Sequence, residues 1–313
     1  MSPATAPTSA PLVITQGDPR GVGLELLLRL AADGVFRPTD RVIADPAALA
    51  QRATTLEASW ARPGWAALEP LVEGEAGLRQ TDALARGVDA VLQAPGTALV
   101  TAPIDKKACQ DEGFEFPGHT EYLAHRAGDC EVAMLMAGPA LRVVLATIHV
   151  PLSEVARRLD VAAVERAGRL LAQGLRDRFA IARPRVAVLG LNPHAGERGM
   201  LGNEESTVIA PAVAQLRVTE PYASFSDPLP ADTAFAAHHQ GHYDGVVAMY
   251  HDQGLGPFKL LHFYDGVNVT LGLPFVRTSP DHGTALDIAG RGVANPASML
   301  AAIGLARGES FAR

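Results

Sequence analysis

The sequence predicts an α/β fold. Three observations lead there. Short apolar, β-branched runs recur along the chain, segments with helical spacing lie between them, and polar, glycine-containing clusters follow the runs. The runs cover 12–15, 41–44, 98–102, 141–147, 186–191, 245–250 and 267–271, and read as buried strands of a parallel or mixed sheet. Between them, 23–32, 81–94, 153–159, 161–179 and 204–216 carry the spacing of amphipathic helices. The first ten residues, rich in Ala, Pro, Ser and Thr, read as a loose tail.

Composition bounds the function. The 313 residues carry 27 Lys and Arg against 34 Asp and Glu, a net charge of −7, with no basic run. That balance argues against a nucleic-acid or anionic-membrane partner but allows a local cationic pocket. No signal peptide or membrane span is visible, and Cys109 and Cys130 read as free thiols, so a soluble cytoplasmic protein is expected. Lysine occurs only at Lys106, Lys107 and Lys259, which makes a lysine in a motif-rich segment informative.

In open α/β sheets ligands bind beyond the carboxyl ends of strands, and five clusters lie there. Thr15-Gln-Gly-Asp-Pro-Arg-Gly-Val-Gly23 reads as a tight turn capped by Asp18, or as amides facing an anion. In Gly118-His-Thr-Glu121, His119 and Thr120 suit phosphate or carboxylate oxygens, while Glu121 suits a capping box. His149, His194 and His251 each follow an apolar run. They suit one divalent metal, or three separate hydrogen-bonded histidines. His238, His239 and His242 read as a solvated surface. Lys259, Asn268 and Arg277 bracket the strand 267–271, on which Asn268 and Thr270 share a face. This set suits a phosphorylated acid, or surface ion pairs. Asp281-His-Gly-Thr-Ala-Leu-Asp-Ile-Ala-Gly290, followed by Ala294-Asn-Pro296, reads as a ligand-facing loop or a plain helix entry.

Together these segments resemble the 4-hydroxythreonine-4-phosphate dehydrogenase (PdxA) family. Eight stretches carry the resemblance, in family order from residue 15 to 290: Thr-Gln-Gly-Asp-Pro-x-Gly-Val-Gly, Pro-Gly-His-Thr-Glu, Thr-x-His-Val-Pro-Leu, Gly-Leu-Asn-Pro-His-Ala-Gly-Glu, Pro-Ala-Asp-Thr-x-Phe, Tyr-His-Asp-Gln-Gly-Leu, Val-Asn-x-Thr-Leu-Gly-Leu-Pro and Asp-His-Gly-Thr-Ala. The stretch from His282 to Asn295 is also similar to the adenosine loop of isocitrate and isopropylmalate dehydrogenases. The resemblance implies their fold, two α/β domains with an interdomain cleft. Residues 1–120 with 277–313 would form the cofactor-side domain, and 121–276 the domain with the metal and the dimer interface.

The activity implied is oxidation of 4-phosphooxy-L-threonine by NAD, with NADP as the alternative. Decarboxylation to 3-amino-2-oxopropyl phosphate follows, on the route to pyridoxal phosphate. By resemblance His149, His194 and His251 are metal ligands shared across a homodimer, for zinc, cobalt, manganese or magnesium. His119, Thr120, Lys259, Asn268 and Arg277 bind substrate, and His282, Gly283, Thr284, Ala285, Asp287 and Asn295 contact the cofactor. Asp232 and Asp252 match acidic positions near the metal, and Asp252 or Lys259 would relay the proton.

The chain departs from the family pattern at Arg20, Leu24, Asp105, Ser226-Asp227-Pro228 and Pro280. Arg20 and Leu24 lie toward the expected substrate side and leave the acid open. Relatives oxidise D-threonate or D-erythronate 4-phosphate, or dihydrodiol carboxylates. A metal-dependent phosphoester hydrolase and a non-catalytic phosphate-binding protein are the readings from other classes.

Overall fold

All seven expected strands form in the computed structural model, which describes residues 10–311. The expected tail, residues 1–9, lies outside the described residues, and Ala10 is buried. The elements run β1 (Leu12–Thr15), α1 (Gly23–Ala32), β2 (Arg41–Ile43), α2 (Pro46–Thr55), α3 (Ala61–Leu68), β3 (Val72–Glu73), α4 (Gln80–Gln93), β4 (Ala98–Thr101), α5 (Lys106–Asp111) and α6 (His119–Arg126). Then come β5 (Ala133–Ala137), β6 (Arg142–Leu145), α7 (Leu152–Arg158), α8 (Val161–Phe179), β7 (Arg185–Val188), α9 (Ala210–Thr219), β8 (Ser224–Phe225), α10 (Ala231–His239), β9 (Gly245–Ala248), α11 (His251–His262), β10 (Val267–Leu271), β11 (Arg277–Pro280) and α12 (Ala297–Ala306). The helix expected over 204–216 opens instead with a π-helical turn, Glu205–Ile209, before α9.

One sheet takes every strand, in the order β3-β2-β1-β4-β11-β10-β5-β6-β9-β7-β8. β10 is antiparallel to both its neighbours, and so is β5. The parallel arms on either side therefore run in opposite senses.

The faces of this sheet differ. On one, α1, α2, α3, α8, α9 and α12 bury a continuous apolar core. On the other, the core breaks in two. Leu84, Val88 and Leu123 of α4 and α6 cover Val13 and Leu99, while Leu255 and Phe258 of α11 help cover Val143, Leu145 and Val246. Between these clusters, among the described residues, the middle of the sheet at β11 and β10 opens into a cleft, with Met136 of β5 at its edge under α11.

Two ties fix the loops that border this gap. Gly17, at φ 70°, passes so close to the segment after β4 that a Cβ there would lie 2.2 Å from the Pro103 carbonyl oxygen. Glu25, only 1% exposed on α1, accepts hydrogen bonds from the Gly290 amide at 2.7 Å and the Ala294 amide at 3.3 Å. Arg52 lies 3.7 Å from the same carboxylate and donates to the Gly21 and Pro19 carbonyls. Val22 N donates to Thr284 O at 2.9 Å. The first strand-to-helix turn and the 282–296 loop are thus one knitted unit. Asp18 closes that turn by accepting from the Arg20 amide, but it does not cap α1, whose N-cap is Val22 with no side-chain cap bond, so the tight turn forms without the expected cap.

The histidines expected at a solvated surface divide. His239 and His242 are exposed, but His238 is 6% exposed, with neither ring nitrogen hydrogen-bonded. Burial, with the Arg142 cation adding to it, pulls its pKa down to about 4.

Two tests follow from this packing. Glu25→Gln supplies one acceptor where two amides need one each, so hydrogen exchange at Gly290 and Ala294 should quicken and stability fall by about 1–3 kcal/mol. Unchanged exchange at both amides would remove the tie. For His238 the folded pKa lies below the unfolded one, so the unfolded chain alone gains a proton as pH falls from 6.5 to about 4. Stability drains through that window, by roughly 3 kcal/mol at its foot. Urea midpoints should show His238→Phe losing less than the wild type on acidification, and parallel pH profiles would refute the assignment.

Candidate active site

The floor of the site follows from strand period. Alternate residues face the gap, and the register aligns Arg277 and Ser279 of β11 with Asn268 and Thr270 of β10 and with Met134 and Met136 of β5. Above them lies a cleft of about 450 Å³. Its walls come from the segments after β4, β6, β9 and β11, at the carboxyl ends where ligands were expected.

Arg277 sets the chemistry of one end. Its side chain is 2% exposed and donates to Thr270 Oγ1 at 3.1 Å, Thr101 Oγ1 at 2.6 Å and His119 Nδ1 at 3.1 Å. All three acceptors are neutral, and Nε has no partner. Burial without a balancing carboxylate pulls the guanidinium pKa down to about 9, which still leaves it charged at neutral pH. A guanidinium can only donate, so His119 must accept at Nδ1 and carry its proton on Nε2. That Nε2 is buried without a partner. Burial first, then the charges of Arg277 and Lys106, holds the His119 ring well below the usual imidazole pKa, so it is neutral. Thr120 lines the same end.

The other end holds two of the three expected metal ligands. The His149 and His251 rings lie with centroids 6.0 Å apart. His149 is exposed at the cleft, yet desolvation by the walls, then Lys106 and His251, lowers its pKa. His251 opens α11 and meets Asp252 Oδ1 through Nδ1 at 2.7 Å. His194 is elsewhere: it starts a run of five successive left-handed residues, His194–Arg198, outside the cleft lining. Among the described residues, no three His, Cys, Asp or Glu side chains cluster closely enough to hold a metal ion.

The remaining expected residues separate in the same way. Lys259 is in the cleft but already paired, 2.6 Å from Asp281 Oδ2. Burial pushes the Asp281 carboxyl up, and Lys259 opposes this. Asp252 is exposed beside the cleft. Asp232 is exposed on α10, outside the lining, and accepts from the Thr233 amide. His282 and Gly283 line the cleft, and Thr284 meets α1. Ala285 is left-handed at φ 46°, Asp287 is exposed, and Asn295 Oδ1 accepts from the Ala297 amide at the start of α12.

Sequence reasoning named Lys106 and Asp281 without giving either a role, and passed over Glu25 and Arg52. The rarity of lysine pointed to Lys106. A carboxylate in the otherwise apolar stretch Gly23–Leu28 is the one local signal that could have marked Glu25, though it says nothing of its partners. Of the departures, Arg20 and Asp105 form an ion pair at 3.1 Å, Leu24 is core, and Ser226 Oγ accepts from the Val188 amide. Asp227 pairs with Arg217, and Pro280 ends β11 at the cleft.

Comparisons with known proteins give the family. A family model described as pyridoxal phosphate biosynthetic protein PdxA matches residues 42–306. The 4-hydroxythreonine-4-phosphate dehydrogenase of Caulobacter vibrioides is 44% identical, over 96% of this chain and 97% of its own. The crystal structure of the enzyme of that name from Klebsiella pneumoniae superposes with a TM-score of 0.81 at 36% identity, covering 95% of this chain and 98% of that one. A terephthalate 1,2-cis-dihydrodiol dehydrogenase from Burkholderia xenovorans superposes at 0.65 with 28% identity, covering 97% and 99%. With the family model spanning most of its length and relatives of this similarity covering nearly all of it, the chain belongs to the PdxA family.

Proposed function

We propose that the cleft oxidises 4-phosphooxy-L-threonine with a nicotinamide cofactor, giving 3-amino-2-oxopropyl phosphate after decarboxylation, in the cytoplasm and in pyridoxal phosphate synthesis. One observation carries the reading. A buried cation with unused donors faces, across one small cleft, a pair of imidazoles in a chain of this family.

The residues fit the groups this chemistry needs. His149 and His251 offer nitrogen donors to a divalent cation, zinc, cobalt, manganese or magnesium, and Asp252 fixes the His251 ring as carboxylates do for metal-bound histidines. His194 would complete the set from the second subunit of a homodimer. Leu152 at 73% exposure and Met200 at 81% flank the two histidine segments with apolar surface suited to that contact. The 282–296 loop would take the cofactor, NAD or alternatively NADP, through His282, Gly283, Thr284, Ala285, Asp287 and Asn295. When bound, the nicotinamide accepts the hydride and the cation stabilises negative charge on the substrate oxygen.

The chain's own groups do the rest. Arg277, His119 Nε2–H and Thr120 bind the phosphate. Asn268 Oδ1, buried without a partner, accepts from a substrate amine or hydroxyl. Lys259 is the best placed of the expected relay residues. Its Nζ stands in the cleft against the raised Asp281 carboxyl, so that pair holds the proton. Asp252 acts through His251, and Asp232 would reach a site only from outside the cleft of its own chain. The two domains of the proposal, 1–120 with 277–313 and 121–276, would meet where β11 pairs with β10.

A substrate panel tests the reading. NADH absorbance should rise with 4-phosphooxy-L-threonine at a higher kcat/KM than with D-threonate 4-phosphate, D-erythronate 4-phosphate or a dihydrodiol carboxylate. Preference for a dihydrodiol would shift the function toward the Burkholderia neighbour, and phosphate release without NADH toward a hydrolase. His149→Ala and His194→Ala should each lower bound metal and cut turnover by about a hundred-fold or more, leaving NAD affinity near wild type. Full metal content and turnover in His194→Ala would remove it from the ligand set.

A further inference from the structure

We propose that Lys106 is a further substrate-binding residue, supplying a second positive charge to the phosphate, and that Arg20 and Asp105 are positioning residues that aim it. The proposal rests on reading the cleft as a site for a phosphorylated acid. A phosphomonoester carries roughly −1.5 to −2 charges near pH 7, and Arg277 supplies one positive charge. The other two expected sources are unsuited: His119 is held neutral, and Lys259 is bound to Asp281.

Of the three lysines, Lys107 pairs with Asp111 and Lys259 with Asp281. Lys106 lines the cleft and has no ion pair among the described residues. Its Nζ lies 3.9 Å from where a Cβ on Gly118 would stand, beside the residue that leads into His119 and Thr120. A lysine suits this place because a mobile point charge on a long stem can follow a ligand that the fixed Arg277 fork meets from below.

The peptide that launches Lys106 is held from three sides. Asp105 Oδ1 caps α5, accepting from the Lys107 amide at 2.9 Å and the Ala108 amide at 3.1 Å. The Asp105 amide donates to Gln80 Oε1 at 3.0 Å. Asp105 Oδ2 pairs with Arg20, and Arg20 is clamped through Nε and Nη2 to both oxygens of Asp18, itself 1% exposed. Arg20 and Asp105 are two of the departures from the family pattern, and they touch each other. The exchange of a small residue for Arg20 and of asparagine for Asp105 therefore adds one ion pair at the root of the helix that carries Lys106.

The test uses the full-length chain with inorganic phosphate as the probe, by calorimetry and thermal shift. Lys106→Gln should raise the phosphate Kd by about ten-fold or more and weaken its salt dependence, with Lys106→Arg recovering most of the loss. With the phosphorylated acid, KM should rise by a similar factor and kcat change less. Asp105→Asn keeps the cap and loses the ion pair, so the phosphate Kd should rise by about three-fold, and Arg20→Ala combined with it should cost no more than either alone. A phosphate Kd within two-fold of wild type in Lys106→Gln, or no phosphate binding by the wild type, overturns the role of Lys106. Additive effects, or none, from Arg20 and Asp105 overturn the positioning role. Loss of phosphate binding in Lys106→Gln, in a protein that oxidises no acid of the panel, would sink the functional reading and leave Lys106 as a phosphate ligand.

Discussion

A guanidinium buried in the middle of a sheet, with hydroxyls and an imidazole around it but no carboxylate, is the constraint the rest of the site answers to. Taking Arg277 out of water is costly, and three neutral acceptors offset only part of that cost. The fold keeps the charge there because strands on both sides supply those acceptors, Thr101 from β4 and Thr270 from β10. An anion bound as proposed would meet a cation already desolvated and aimed, with little reorganisation left at the moment of binding. The same bond orders the imidazole: by donating to His119 Nδ1, Arg277 makes the Nε2–H available to the ligand and, with burial, keeps the ring neutral.

That arrangement needs a sheet with one incomplete face. Had helices covered β11 and β10 on both sides, the residues facing the gap would have had to be apolar. The antiparallel centre makes the gap. Crossover connections lay helices over the parallel arms, whereas β5 joins β6 and β10 joins β11 through short loops that bring no helix. Polar side chains can then occupy a mid-sheet position and still face a ligand.

The same geometry explains what the sequence revealed and what it hid. The parallel strands are buried on both faces and read as plain apolar runs, so β1, β2, β4, β7 and β9 were legible. β11 reads Arg-Thr-Ser-Pro and was missed, because two of its four side chains face the cleft rather than a core. β5, Ala-Met-Leu-Met-Ala, lacks the β-branched residues that mark a strand, and β3 and β8 are two residues long. His119, His149 and His251, which the structure brings to the cleft, stand in local motifs that made them legible as candidates. Glu25 and Arg52 act across a separation of more than two hundred residues in one case and about thirty in the other, and no local pattern announces either bond. His238 was misread as solvated because its helix, α10, has little amphipathic signal to show which side is buried.

The turn that carries His194 shows what the fold spends on presenting a side chain away from its own cleft. Five consecutive residues hold left-handed backbone angles, four of them not glycine, at roughly 1–2 kcal/mol each. Such a run persists only where its surroundings over-determine it. Here Glu205, buried at the π-helical turn, accepts from the Leu191 and Asn192 amides through Oε1 and from Asn192 Nδ2 through Oε2. Gly196 packs on the same carboxylate, where a Cβ would stand 2.5 Å from Oε2. Gln253, two residues after His251, donates to the Gly190 carbonyl and accepts from the Met249 amide, so the same bonds fix the loops bearing His194 and His251 relative to each other. A turn held this firmly keeps the His194 side chain exposed and outside the cleft of its own chain.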